Sequence, residues 1–218
     1  MKKSKVLVMT LCAVLLVATT VLGTMAYLTS EASVVNTFTV GKVEITLDEA
    51  KVNPDGTPVT PAARTDAGNV YHLIPGKTYT KDPTMTVVKG SEESYVRMMV
   101  TVTFTEALTD AQLATNLDSI FTGYDATKWS RHDKTVADNK MSITYEYRYN
   151  TTVNAKDATD NMPLEPLFTE IAIPIDVDND DIAILGGMNI TVVGHAIQAA
   201  GFDNADDAWT AFDGQVNP

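Results

Sequence analysis

Apolar and polar residues alternate along five stretches of this chain. Because successive side chains of a β-strand point to opposite faces, a period of two is typical of strands that bury one face. The alternating stretches are residues 42–49, 96–105, 141–149, 171–177 and 188–198. They predict antiparallel sheets with one solvent-facing side. Pro174 has no backbone N–H, so we expect the strand that contains it at a sheet edge or at a bulge.

Two other segments have the features of helices. Thr109 is an N-cap residue with Gln112 three positions later, and Leu113, Leu117 and Ile120 follow at helical spacing. Asn204 opens a short C-terminal helix that contains Ala208, Trp209 and Phe212. Residues 51–69 and 150–163 are rich in turn-forming residues and are predicted to be surface loops. The pattern favours an all-β dominated domain, an antiparallel jelly-roll-like β-sandwich with a few short helices.

The N-terminus has the layout of a secretory signal peptide. Lys2, Lys3 and Lys5 precede a mostly apolar run over residues 6–22, and small residues follow it. We place the cleavage site after Ala26, with Thr24 at position −3, so that the mature chain begins at Tyr27. The alternative is a retained membrane anchor, because the run approaches the ~20 residues that span a bilayer. The expected organisation is residues 1–26 as signal, 27–40 as an N-terminal segment and 41–218 as one domain.

Charge and cysteine content exclude several classes of protein. The 218 residues include 16 Lys and Arg and 28 Asp and Glu, for a net charge of −12. Removing residues 1–26, with three lysines and no acidic residue, leaves 192 residues with net charge −15 and also removes Cys12. An acidic balance argues against nucleic acid as a partner, because phosphate contacts need clustered Lys and Arg. A cysteine-free mature chain has no disulfide and no cysteine nucleophile.

Candidate metal ligands are scattered. His72, His132 and His195 lie in separate segments and lack the His-Glu-x-x-His spacing of a zinc protease. Asp176, Asp178 and Asp180 resemble the start of a calcium loop, but an EF-hand needs Gly at position 6 and Glu at position 12. Asp181 and Gly187 occupy those positions. A looser calcium site and a solvated acidic turn both remain open. No other cofactor is indicated.

Aromatic residues offer a second candidate surface. Tyr145, Tyr147 and Tyr149 recur at a period of two, and Trp129 precedes them. Tyrosines with this spacing either pack one face of a sheet or form a platform for a ligand. The sequence has no Gly-x-Ser-x-Gly elbow and no P-loop, so no catalytic residue is assigned.

Three groups of residues carry a family resemblance. The first comprises residues 23–30 and 36–45; the second comprises Pro75-Gly76, Lys81-Asp82-Pro83 and Tyr95-Val96-Arg97; the third comprises residues 194–202 with Ala208-Trp209. Together they resemble the TasA/camelysin family of Gram-positive bacteria. The resemblance implies export by a SipW-type signal peptidase, a jelly-roll sandwich and an extracellular location at the cell surface or in the biofilm matrix.

In this family, the segment freed by signal cleavage is donated as a strand to the next subunit of a fibre. Residues 27–39 match that segment, and Val34, Val35 and Phe38 are the apolar side chains that a receiving groove would bury. The resemblance therefore implies a structural protein that self-associates into fibres, with other matrix or cell-wall components as further partners.

Two other functions stay open. Camelysin members are named as metalloendopeptidases, although no zinc motif is present here to carry that activity over. A monomeric surface adhesin or carbohydrate-binding module would use Trp129 and the tyrosine face. Zinc content with chelator-sensitive casein cleavage would identify the first, and a soluble monomer that binds glycan would identify the second.

Overall fold

The computed structural model describes residues 29–32, 42–114, 117–175 and 188–216. The strands of this part, in chain order, are β1 (Thr29–Ala32), β2 (Ile45–Ala50), β3 (Arg64–Thr65), β4 (Thr78–Thr80), β5 (Thr84–Val87), β6 (Ser94–Thr103), β7 (Phe121–Thr122), β8 (Trp129–Val136), β9 (Ser142–Tyr149), β10 (Met162–Pro163), β11 (Glu170–Ala172) and β12 (Asn189–Gln198). The helices are α1 (Asp110–Ala114), a 3₁₀ helix (Leu117–Ile120) and α2 (Ala205–Val216). No helix of the described segments is long and apolar enough to cross a bilayer.

The strands form three sheets whose pairings are antiparallel. The largest has the order β1-β12-β6-β9-β8, the second β10-β5-β2-β3, and the smallest β4-β11-β7. The late strand β12 lies between β1 and β6, and it pairs with β6 over all ten of its residues. The predicted all-β sandwich with short helices is confirmed.

One buried apolar cluster joins all three sheets. The even-numbered residues of β6 from Val96 to Val102 lie in it at 0–1% exposure, together with Met85 and Val87 of β5 and Ile171 of β11. Burial of one such side chain contributes about 1.5–3 kcal/mol to stability, which explains why the alternation fixes the orientation of each strand. The alternation predicted for β6, β9 and β12 is confirmed.

The strand predicted over residues 171–177 differs from the structure. β11 ends at Ala172, before Pro174, and it is the central strand of its sheet rather than an edge. The Ile173 N–H donates to the Lys77 carbonyl at 2.9 Å, and Pro174, which has no N–H, takes part only through its carbonyl, which accepts from the Gly76 N–H at 3.2 Å. The prediction of an edge strand was wrong because β11 ends before Pro174, so the proline does not lie within a strand.

The helix and loop predictions need smaller corrections. At the start of α1, the Thr109 N–H donates to Gln112 Oε1 at 2.9 Å and the Gln112 N–H donates to Thr109 Oγ1 at 3.3 Å, which is the predicted capping box. The helical pattern through Ile120 is divided between α1 and the 3₁₀ helix. The predicted loop 51–69 contains β3, which pairs with the end of β2.

Candidate assembly edge

One edge of the five-stranded sheet is formed by the N-terminal segment itself. β1 lies within the predicted segment 27–40 and pairs antiparallel with β12, with Thr29 opposite Ile197 and Ala32 opposite Gly194. β1 has β12 as its only strand neighbour in this sheet as the structure describes it. Pairing at a sheet edge uses main-chain hydrogen bonds, which any extended peptide can supply.

The acceptor strand β12 extends beyond β1. Residues 194–197 pair with both β1 and β6, whereas residues 189–193 pair with β6 but with no second strand in the described part of the chain. Ile190, Val192 and Ala196 contact the main core, and the adjacent Gly194 approaches the other sheet so closely that a Cβ there would lie 2.5 Å from Met85 Cε. β12 therefore presents a pairing edge that is directly connected to the core.

The opposite edge of the same sheet has a different character. β8 carries exposed polar and charged side chains, and its register with β9 shifts between Arg131 and Asp133. Charged residues and bulges are the devices by which native proteins prevent edge strands from pairing with other chains. Within the described residues, the two edges of the sheet are thus chemically distinct.

Helix α2 packs on the outer face of the sheet beside β12. Ala208, Trp209 and Phe212 are buried together with Ile197 of β12 in a second apolar cluster. The Asn204 side chain caps the helix by accepting a hydrogen bond from the Asp207 N–H at 3.0 Å. The C-terminal part of the outer face of β12 is therefore covered by the helix, while the lateral edge of the strand pairs with β1.

A buried arginine fastens this helix to the sheet. Arg97 of β6 is 3% exposed, and its Nε donates to His195 Nδ1 of β12 at 3.2 Å. Its guanidinium makes a bidentate ion pair with Asp213 of α2 and lies 4.4 Å from the centre of the Trp209 ring. Oε1 of Glu146 on β9 lies 3.5 Å from Arg97 Nη1. Since a buried charge is costly unless paired, this arrangement ties α2 to three strands.

The alternation over residues 96–105 predicted that the face of β6 opposite the core would be exposed to solvent. The structure corrects that expectation at one end of the strand, because α2 covers Arg97 and His195 there. The sequence feature that relates to this packing is the helical spacing of Trp209 and Phe212. It indicated an apolar helix face but not the surface that this face would cover.

The site residues predicted from the sequence lie outside the described residues. These are Thr24, Ala26 and Tyr27 of the signal cleavage site, Val34, Val35 and Phe38 of the candidate donor strand, and Asp176, Asp178 and Asp180 of the candidate calcium loop. Their assignments stay predictions. The described part of the donor segment is β1.

The three histidines occupy separate places. His72 is exposed in the loop before β4, His132 is exposed on β8, and His195 is buried on β12, with β6 and β9 lying between the latter two strands. Within the described segments, no group of three or more His, Cys, Asp or Glu residues could hold a metal ion.

Of the aromatic residues considered as a ligand platform, Trp129, Tyr145 and Tyr147 lie in the interior and Tyr149 is partly buried. Trp129 is fully buried and its Nε1 donates to the Glu165 carbonyl at 2.9 Å. Tyr145 and Tyr147 are 0% and 5% exposed, and burial raises the pKa of Tyr147 to about 12. These side chains pack the sheet, which is one of the two roles that their spacing predicted.

No protein-family model matches this chain, and no curated protein or solved structure matches it significantly. The resemblance to the TasA/camelysin family stays a prediction from the sequence.

Proposed function

We propose that this protein is an exported structural subunit of a cell-surface or biofilm-matrix fibre, assembled by donor-strand exchange after a SipW-type peptidase removes residues 1–26. The observation that carries the proposal is the position of β1. The described part of the predicted donor segment is an edge strand, and its partner is the strand β12.

Exchange would replace contacts within one chain by equivalent contacts between two chains. Four of the ten residues of β12 pair with β1, so a donor from another copy would take the place of β1 along this strand. Continuing the register of β1 would place Val34 opposite Val192 and Phe38 opposite Met188. Val192 and Met188 pack against the core, so these donor side chains would be directed towards apolar surface.

The charged β8 edge gives the assembly its direction. A donor segment at one end and a single acceptor edge form a head-to-tail contact, which produces a filament when the rotation between copies does not close. While the signal peptide is attached, residues 27–39 would be unable to pair with another subunit, so cleavage would start assembly. With a net charge of −15, subunits repel one another, and salt or divalent cations would favour fibres.

Electron microscopy of recombinant chains tests this proposal. A chain that begins at Tyr27 is expected to form filaments, whereas a chain that begins at Gly41 lacks the donor and is expected to stay monomeric. Equal filament formation by both chains would refute donor-strand exchange.

Cysteine pairing tests the register, since the mature chain has no cysteine of its own. Ser30→Cys and Ala196→Cys, made in separate chains and mixed under oxidation, are expected to form a disulfide between copies because these positions are register partners. Ser30→Cys mixed with Thr135→Cys on β8 is the matched control and should stay unlinked. Preferential linkage to Thr135→Cys would place the acceptor at the wrong edge.

A further inference from the structure

Three side chains that are distant in sequence converge at one end of β2. Lys81 Nζ donates to Glu49 Oε2, and Asn69 Nδ2 donates to Glu49 Oε1 at 2.8 Å. The side chains of Lys81 and Glu49 are only 7% and 8% exposed. A lysine amine and an asparagine carboxamide are thus held by the two oxygens of one buried carboxylate.

Backbone groups fix the orientation of the Asn69 carboxamide. Its Nδ2 also donates to the Ala50 carbonyl at 2.8 Å, and its Oδ1 accepts from the Val52 N–H at 2.9 Å. Because a backbone N–H can only face an oxygen and a carbonyl can only face a donor, the amide is oriented without ambiguity. The carbonyl carbon of Asn69 is therefore polarised by a hydrogen bond to its oxygen.

Two tyrosines flank this cluster. Tyr71 stands beside it, edge to face with the fully buried Tyr79, and donates its hydroxyl to the Thr80 carbonyl at 2.9 Å. Burial, and then the nearby Glu49 carboxylate, raise the pKa of Tyr71 above its ordinary value, so its phenol stays neutral. At their contact, the Lys81 amine and the Glu49 carboxylate are therefore largely shielded from bulk water.

We propose that Lys81 and Asn69 form an intramolecular isopeptide bond and that Glu49 carries the protons of the reaction. The site contains the required parts: a nucleophile, a base in contact with it, a carboxamide held by the same base, and an N–H aimed at the oxygen where negative charge develops. No oxidant, cofactor or second substrate is needed.

The reaction balances with these groups alone. Glu49 takes a proton from the Lys81 ammonium, and the resulting amine lone pair attacks Asn69 Cγ. The C=O electron pair moves to Oδ1, where the Val52 N–H stabilises it. Glu49 gives its proton to Nδ2 and takes one from Nζ. As the C=O reforms, the Cγ–Nδ2 bond breaks and ammonia leaves; it accepts the last proton as ammonium, which restores the Glu49 carboxylate.

Mass spectrometry of the mature full-length chain tests this bond. The intact mass is expected to fall below the sequence mass by one ammonia. Trypsin cannot cleave after a lysine whose amine is acylated, so residues 78–89 should stay joined through Lys81 to residues 65–77, although cleavage after Lys77 separates their backbones. A folded chain at full sequence mass after prolonged incubation, with free 78–81 peptide, would overturn the proposal.

Variants separate the roles of the three residues. Asn69→Ala keeps the ion pair but removes the carbonyl, so it should fold and show no linkage. Asn69→Asp should reach the same linked mass as the natural chain, because it loses water instead of ammonia. Glu49→Gln should stay unlinked, and linkage there would overturn the role of Glu49.

A matched control lies elsewhere in the chain. Asn161 also lies beside a lysine, accepting from the Lys89 N–H at 3.1 Å, but it is exposed and lacks the buried carboxylate. Asn161→Ala should therefore keep the full ammonia loss; disappearance of the loss in this variant would show that the bond lies elsewhere.

Discussion

At the scale of single residues, two buried tyrosines differ in the environment of their hydroxyl groups. Tyr79 donates to the His72 carbonyl at 2.6 Å and accepts from the Ile74 N–H at 2.7 Å. The described residues provide no hydrogen-bond partner for the buried Tyr145 hydroxyl. Two side chains that look equivalent in sequence are therefore expected to respond differently to loss of the oxygen.

Phenylalanine substitutions measure this difference. Tyr79→Phe leaves a backbone N–H and a carbonyl without their partner and is expected to lower the free energy of unfolding by about 1–3 kcal/mol. Tyr145→Phe removes an unsatisfied polar atom and should be neutral or stabilising by up to about 1 kcal/mol. Urea denaturation of both variants checks the prediction, which an equal loss in the two would contradict.

At the scale of elements, α2 depends on its contacts with the sheet. A helix of 12 residues is marginal alone in water, so its stability comes from docking. Two of its aspartates make contrasting ion pairs. Asp213, 51% exposed, pairs with Arg97, which is 3% exposed; Asp206, 73% exposed, pairs with Arg148, which is 16% exposed.

Asparagine substitutions compare the pair that holds the buried arginine with the more exposed pair. Asp213→Asn weakens the pairing of a buried charge and is expected to reduce the free energy of unfolding by about 1–3 kcal/mol. Asp206→Asn should cost at most about 1 kcal/mol, because exposed ion pairs contribute little. Hydrogen exchange of the α2 amides provides the local readout; faster exchange in Asp206→Asn than in Asp213→Asn would reverse the assignment.

At the scale of the whole molecule, buried tyrosines make stability depend on alkaline pH. Burial raises the pKa of Tyr147 to about 12, and it also raises the pKa of Tyr145. An unfolded tyrosine titrates near 10, so the folded chain holds these protons more tightly. The contribution to stability is complete below about pH 10 and is lost as the pH rises towards 12.

Urea midpoints between pH 8 and 12 measure this dependence. The midpoint is expected to fall above about pH 10, with a contribution from Tyr147 on the order of 2 kcal/mol. Tyr147→Phe removes the titrating group and should make the fall shallower. A midpoint that rises over this range, or a slope unchanged by the substitution, would contradict the assignment.

The same three scales separate what could be predicted from what could not. The alternation in β6, β9 and β12 predicted those strands and their buried faces, because strand periodicity is a local property. β8 was missed, because an exposed, charged edge strand has no apolar period. The packing of α2 over Arg97 was also missed, because the surface that the helix buries and the part of the sheet that it covers become defined only when the two are in contact.

The sequence by itself determined the all-β class, the main strands, both helix starts and the acidic charge, because each of these depends on neighbouring residues or on composition. Only the tertiary structure decided which strand forms each edge, and it brought Glu49, Asn69 and Lys81 to one buried cluster. The physical reason is that strand order and side-chain convergence depend on how distant segments pack, and no local pattern records that packing.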